Sequence, residues 1–277
     1  MDLNVLREIA DKLLRDSAEN RIQAEVSLRP ELSGMKIFKD CLLACADAND
    51  PIFTRLKSDF NAYGDMLRLP GEWLEGAKSV ICFFLPYADE IRICDRPDSP
   101  YPADEWLHAR IEGQSFMLSM CGKMAEVLEG MGYKALVPSI SPDFKVSRDE
   151  SRAAEGGPLY AANWSERHAA YVAGLGTFSL AKHIITEMGC CGRFGSIITD
   201  AEFTPTERRY SSPYEYCTFC GACALRCPSS AIGESEKDNA PCGEFIDRTK
   251  KLFAPRYGCG KCQIGMPCEN GIPAKTK

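Results

Sequence analysis

Three cysteines stand three residues apart, Cys217, Cys220 and Cys223, and after four more residues come Cys227 and Pro228. This spacing lets one tight loop present three thiolates to one face of a [4Fe–4S] cube, while the cysteine before proline turns toward a second cube. Cys242, Cys259, Cys262 and Cys268 follow, so the region offers eight thiolates, the full complement for two cubes.

The crossover used by two-cluster ferredoxins would give Cys217, Cys220, Cys223 and the distant Cys268 to one cube, and Cys227, Cys242, Cys259 and Cys262 to the other. Zinc is the nearest alternative, because two C-x-x-C pairs can hold one tetrahedral ion. A zinc ribbon, however, needs neither the closely spaced third cysteine nor the Cys-Pro step. A disulfide framework belongs to short exported chains, and neither the opening residues nor the uneven spread of cysteines has that character.

The elements that must position these thiols have room to form. With 277 residues and 45% hydrophobic content, the chain can build one large core and a small appendage. A formal charge of −6 argues against broad electrostatic binding of nucleic acid but leaves room for a local basic groove. No apolar run approaches the ~20 residues of a membrane span. The opening Met1 to Arg15 is amphipathic instead, with Leu3, Leu6, Ile9, Leu13 and Leu14 on one helical stripe. A cytoplasmic setting is expected, where fifteen cysteines stay reduced.

Arg21 to Leu28 alternates like a half-buried strand, and Pro30 to Tyr63 holds short helical patterns, with Cys41 and Cys45 at i, i+4 as core filler. Ser79 to Leu85 is a continuous apolar run closed by Pro86, a strand buried on both faces. Asp104 to Gly130 carries apolar residues at helical spacing and stops at Gly130 and Gly132. A strand over Tyr133 to Val137 then implies a parallel, right-handed crossover. His108 near the start of that helix reads as solvated or capping.

Ser139 to Ser165 is a long polar segment with Arg148, Arg152 and Gly156-Gly157, and either arginine could meet an anionic substrate or only water. Asn163 or Ser165 caps a helix from Glu166 to Ala173 that ends at Gly174-Leu175-Gly176. Two strands, Ala181 to Ile185 and Gly195 to Asp200, flank the loop Gly189-Cys190-Cys191-Gly192, whose cysteines could face a cofactor or react in redox chemistry. Ala201 to Tyr214 reads as a linker. The expected division is an α/β (α+β) reductase-like domain over 1–205 and a ferredoxin-like double [4Fe–4S] module over 206–277.

Several landmarks together resemble one family. Pro70-Gly71-Glu72-Trp73 through Ile81, Glu166-Arg167 with Ala173-Gly174-Leu175-Gly176, Gly189 to Asp200, and two cysteine groups with an isolated Cys242 between them resemble epoxyqueuosine reductase and its relatives. The resemblance implies two [4Fe–4S] clusters, a cobalamin held over an α/β domain, and kinship with reductive dehalogenases. It also implies a low-potential donor such as ferredoxin or flavodoxin, and a small-molecule or tRNA-linked substrate. By the same token Gly174, Leu175, Gly176, Lys182 and His183 would approach the corrinoid.

This chain departs from the family at three points. Five residues, where three are usual, precede the final Cys268. The position of the family's acidic proton donor, six residues before the Glu-Arg pair, is Tyr160. The helical repeats that some members add for RNA contact have no counterpart here. Reductive dehalogenases use a tyrosine as proton donor, so Tyr160 is the expected catalytic acid, beside the plainer reading of an aromatic packing its loop. An electron carrier with the clusters but no corrinoid is the alternative.

Overall fold

A computed structural model describes residues 2–59, 65–155 and 157–274; Tyr63 and Gly156 lie outside the described residues. The helices are α1 (Asn4–Asp16), α2 (Pro51–Ser58), α3 (Pro70–Trp73), α4 (Asp89–Cys94), α5 (Asp104–Gly130), α6 (Glu150–Ala154), α7 (Glu166–Val172), α8 (Ala222–Leu225) and α9 (Asn239–Phe253). The strands are β1 (Leu42–Asp47), β2 (Ser79–Pro86), β3 (Ala135–Leu136), β4 (Val146–Arg148), β5 (Tyr160–Ala162), β6 (Gly176–Phe178), β7 (Ile184–Thr186) and β8 (Gly192–Thr199).

The main sheet has the order β1-β2-β8-β3, and every pair in it is antiparallel. Since β2 and β3 both oppose β8, they do run in the same direction, but β8 lies between them. The expected parallel crossover is therefore corrected to an α+β sheet with an inserted antiparallel strand. All of β2 is buried. Alternation sends Ile81, Phe83 and Leu85 into a core with α1 and α5, and Val80, Cys82 and Phe84 into a second core with Trp164 and α7. A strand covered on both faces loses its polar alternation whichever way its neighbours run.

Two further expectations change. Residues 21–28 form no strand; a short 3₁₀ turn, Ala24–Val26, sits there, and only Arg21 makes an isolated bridge, to Lys36. Cys41 and Cys45 flank and enter β1, not a helix, and both face the α1–α5 core. A spacing of four is even, so it keeps two residues on one face of a strand just as it does on a helix. Helix α5 has the expected bounds, with Asp104 and Glu105 in its first turn, where carboxylates suit the helix dipole. His108 on it is buried; its Nε2 accepts a 3.0 Å hydrogen bond from the Leu28 amide, a structural role.

The segment 201–214 is no free tether. Ala201 and Phe203 are buried, and Thr206 ties to Cys45 of β1, donating its amide at 2.8 Å and accepting at Oγ1 at 3.0 Å. A third core cluster joins Leu180, Ala181, Cys223, Ile232 and Met266, so the cysteine-rich region packs directly on the β6–β7 turn. No described helix is long and apolar enough to cross a membrane.

Candidate metal centres

The eight cysteines separate into two sets around two neighbouring cavities. Cys217, Cys220, Cys223 and Cys268 line the first, beside His183 and Met266. Cys227, Cys242, Cys259 and Cys262 line the second, beside Trp106 and Arg193. Four soft anionic donors per cavity suit a [4Fe–4S] cube, so the residues present fit two such groups.

Local backbone builds these loops. Gly221 at φ 74° turns the chain into the short helix α8, which carries Cys223. The positive-φ residues that are not glycine among those described, Lys182, Phe219 and Ser230, all lie beside the cavities. Conformations of that kind persist where the surroundings over-determine them, and they concentrate at functional sites. Backbone amides aim at two of the sulfurs: Leu180 N–H at Cys217 (3.4 Å) and Ala231 N–H at Cys227 (3.3 Å). Such N–H···S bonds stabilise thiolate charge and tune a cluster's potential.

The thiols themselves differ. Burial pushes Cys223 up to about 11 and Cys259 up to about 12. Cys268 is held low, first by the Cys190 thiol 3.8 Å away and then by His183, whose Nε2 is 4.0 Å from it. Burial is the largest single influence on Cys262 and works to raise it, but the hydrogen bond from His183 and the charges of Lys237 and His183 together outweigh it and the net displacement is downward. His183 thus touches one thiol of each set from a buried position between them. Bound iron would take these thiols as thiolates, so filling the cavities would release protons, most from the thiols that burial has raised.

Two buried ion pairs fasten the cysteine loops to the larger body. Arg92 of α4 meets Glu269 at 2.6 Å with both side chains buried, and Glu269 also accepts from the Gly265 amide at 2.7 Å. That fixes the loop bearing Cys268. Lys261 donates to the Asp95 carbonyl at 2.8 Å and its carboxylate at 3.1 Å, which fixes the loop bearing Cys259 and Cys262. Gly260 at φ 82° lies flat against Trp106, and a Cβ there would come within 2.1 Å of the indole.

The residues assigned to catalysis and to a corrinoid do not converge. Tyr160 directs its hydroxyl at α9, where a Cβ on Gly243 would meet it at 2.4 Å, one residue from Cys242. Gly174 and Leu175 line a different cavity, of about 350 Å³, with charges of both signs from Arg7, Glu187, Glu207 and Arg209. Gly176 is committed to β6, since the Ile185 carbonyl stands 2.0 Å from where its Cβ would be. Lys182 donates to the Tyr214 hydroxyl at 2.8 Å, and His183 belongs to the cysteines. Pockets for drug-sized ligands span roughly 300–1,000 Å³, and a corrinoid with its nucleotide tail is larger than such ligands. The residues named for the corrinoid therefore do not share one set of neighbours, and no step is derived through cobalt.

Arg152 is also settled: it is buried, with Nε on the Pro158 carbonyl at 2.8 Å and Nη2 on Ser147 at 2.9 Å, so it organises its own loop. Arg148 is exposed and pairs with Glu150 at 2.7 Å. The vicinal cysteines are both buried; Cys190 supports Cys268, while Cys191 packs in the α1–α5 core. Spacing gave no hint of Arg110, Arg193 or Trp106 at the second cavity, because only tertiary packing brings α5 and β8 to it.

An iron–sulfur domain joined to an α+β body is the class that this arrangement defines, and residues 213–233 match the 4Fe-4S binding domain family. No curated protein matches the chain. Among solved structures, an epoxyqueuosine reductase with a tRNA-Tyr epoxyqueuosine-modified stem loop superposes at TM-score 0.52 and 19% identity, over 86% of this chain and 63% of its own. A selenomethionine-labelled epoxyqueuosine reductase gives 0.51 and 18%, over 86% and 63%. A reductive dehalogenase, whose structure suggests a mechanism for B12-dependent dehalogenation, gives 0.54 and 14%, over 84% and 30%. These likenesses show a fold shared with the proteins that the resemblance named. The chain spans less than two thirds of the length of each of these proteins.

Proposed function

We propose that the chain is a two-cluster iron–sulfur electron-transfer protein on a reductase fold, taking single electrons from a low-potential donor such as ferredoxin or flavodoxin and relaying them to an acceptor. The observation behind this reading is the pair of adjacent four-thiol cavities. Bound there, cubes would supply one-electron storage at low potential. The chain's own part is to hold eight thiolates, to stabilise their charge with the Leu180 and Ala231 amides, and to keep water from the inner ligands.

A second reading, a corrinoid-dependent reductase acting on a small or tRNA-linked substrate with Tyr160 as acid, is favoured by the fold shared with the B12-dependent dehalogenase. One measurement separates the two. Protein purified without oxygen is expected to hold about eight iron and eight sulfide per chain, with no cobalt, and not to change the spectrum of added cobalamin. Stoichiometric corrinoid binding would reinstate the second reading, and zinc in place of iron would remove both.

A further inference from the structure

The two cavities differ most in fixed charge. The second is lined by Arg110, Arg193 and Lys237, the first by His183 and, among the described residues, by no lysine or arginine. Arg193 donates to the carbonyl of Arg110 at 3.2 Å, so the two arginines sit side by side. Arg110 also reaches the Tyr257 hydroxyl at 3.3 Å and lies over that ring at 4.8 Å. Among the described residues neither arginine makes an ion pair with a carboxylate, whereas Arg92 and Arg96 share Glu269 and Arg256 has Glu112. The Nε of Arg193 is, among the described residues, buried without a hydrogen-bond partner, as are those of Arg92, Arg226 and Arg256.

Like charges held together away from water cost free energy unless an opposite charge lies close by. A cube ligated by four thiolates is net negative, and each reduction adds one more negative charge. Resting on the two-cluster reading, we propose that Arg110 and Arg193 are the built-in counter-charge of the group held by Cys227, Cys242, Cys259 and Cys262, and make it the higher-potential cluster of the pair. Cations near a cluster favour its reduced form, because that form carries the extra electron. Electrons therefore enter at the first cavity, where Cys220 is exposed, and collect at the second. In that step one electron leaves the first cube and one arrives at the second, and no proton moves. Both arginines act through the cluster, as positioning residues.

The test is an EPR-monitored redox titration of the full chain, reconstituted without oxygen, for the native protein and for Arg193→Gln, Arg110→Gln and Arg193→Lys. Cys242→Ser, which alters one ligand, marks the signal that belongs to the second cavity. The native protein should give two separate midpoints, the higher one carrying that mark. Each glutamine variant should move the higher midpoint to more negative potential, leave the lower one in place and keep full iron and sulfide, while Arg193→Lys keeps the native value. If the glutamine variants hold about eight iron yet neither shifts the higher midpoint, or if Arg193→Lys shifts it as far as Arg193→Gln, the proposal falls while the two-cluster reading stands. Native protein holding zinc, or iron for one cube only, overturns the reading itself.

Discussion

The two cysteine cavities are built from the same kind of sequence and embedded in opposite ways. Three of the four thiols of the first lie in one short loop, and Cys220 among them reaches the surface. The second draws its thiols from three separate stretches of the chain and is walled by Trp106, Phe245 and three cations. A local motif can thus set ligand geometry by itself, whereas the electrostatic setting of a site is decided by distant elements, here α5 and β8. Ligand spacing alone says little about which of two such sites an electron would prefer.

The strongest way to break the comparison is to remove one ligand from each side. Cys268→Ala and Cys242→Ala are each expected to lose about half of the iron, the first abolishing the signal of the exposed cavity and the second that of the cation-lined one. Loss of all iron from both variants would show that the cavities cannot fill independently. Iron and sulfide analysis with visible absorption provides the readout.

A smaller cut is Arg92→Ala. It removes the buried one of the two arginine partners of the Glu269 carboxylate and leaves Arg96 in place, so the loss should fall below the roughly 3–5 kcal/mol typical of stranding a buried charge. Because Glu269 follows Cys268, the damage should concentrate on the first cavity. Denaturant unfolding of the reconstituted protein should show the loss in stability, and chelator challenge should strip the first cube before the second. Equal sensitivity of the two would contradict the assigned role of the clamp.

The mildest prediction is a control away from both cavities. The Glu166 carboxyl accepts from Ser139 and is pushed up to about 7 by burial. Its raised value means that the folded state keeps a proton the unfolded chain has released. The stability gained is full below about 4.5 and is lost as pH rises through about 7. Between pH 6 and 8 that is about 1 kcal/mol. Glu166→Gln should flatten the dependence of melting temperature on pH over this range while both clusters stay filled. An unchanged slope would show that this carboxyl does not titrate there.

Much of this was legible from residue order. The close run of Cys217, Cys220 and Cys223, the bounds of α5, the buried strand β2 and the helix before Gly174 all follow from local spacing, while Cys268 was placed beside that run only by the crossover of two-cluster ferredoxins. The position of β8 between β2 and β3 did not, since a strand with both faces covered has the same apolar run in either sheet type. Tyr160, Lys182 and His183 were tied together by resemblance, and tertiary packing sends them to three different neighbours: Gly243, Tyr214 and Cys268. Arg110 and Arg193 escaped notice because an arginine on a helix or strand reads as solvent-facing until its surroundings are known.

The place of Cys268 in one cavity with the early trio would, on the two-cluster reading, also bear on biogenesis. As the polypeptide leaves the ribosome, Cys217, Cys220 and Cys223 emerge first and must wait with only three thiols, while Cys262 completes the other quartet before Cys268 appears. Iron arriving during translation would meet an open, three-handed loop facing solvent. A scaffold or chaperone that delivers preformed cubes would therefore gain most by acting after residue 268 has cleared the exit tunnel, and by loading the inner position first.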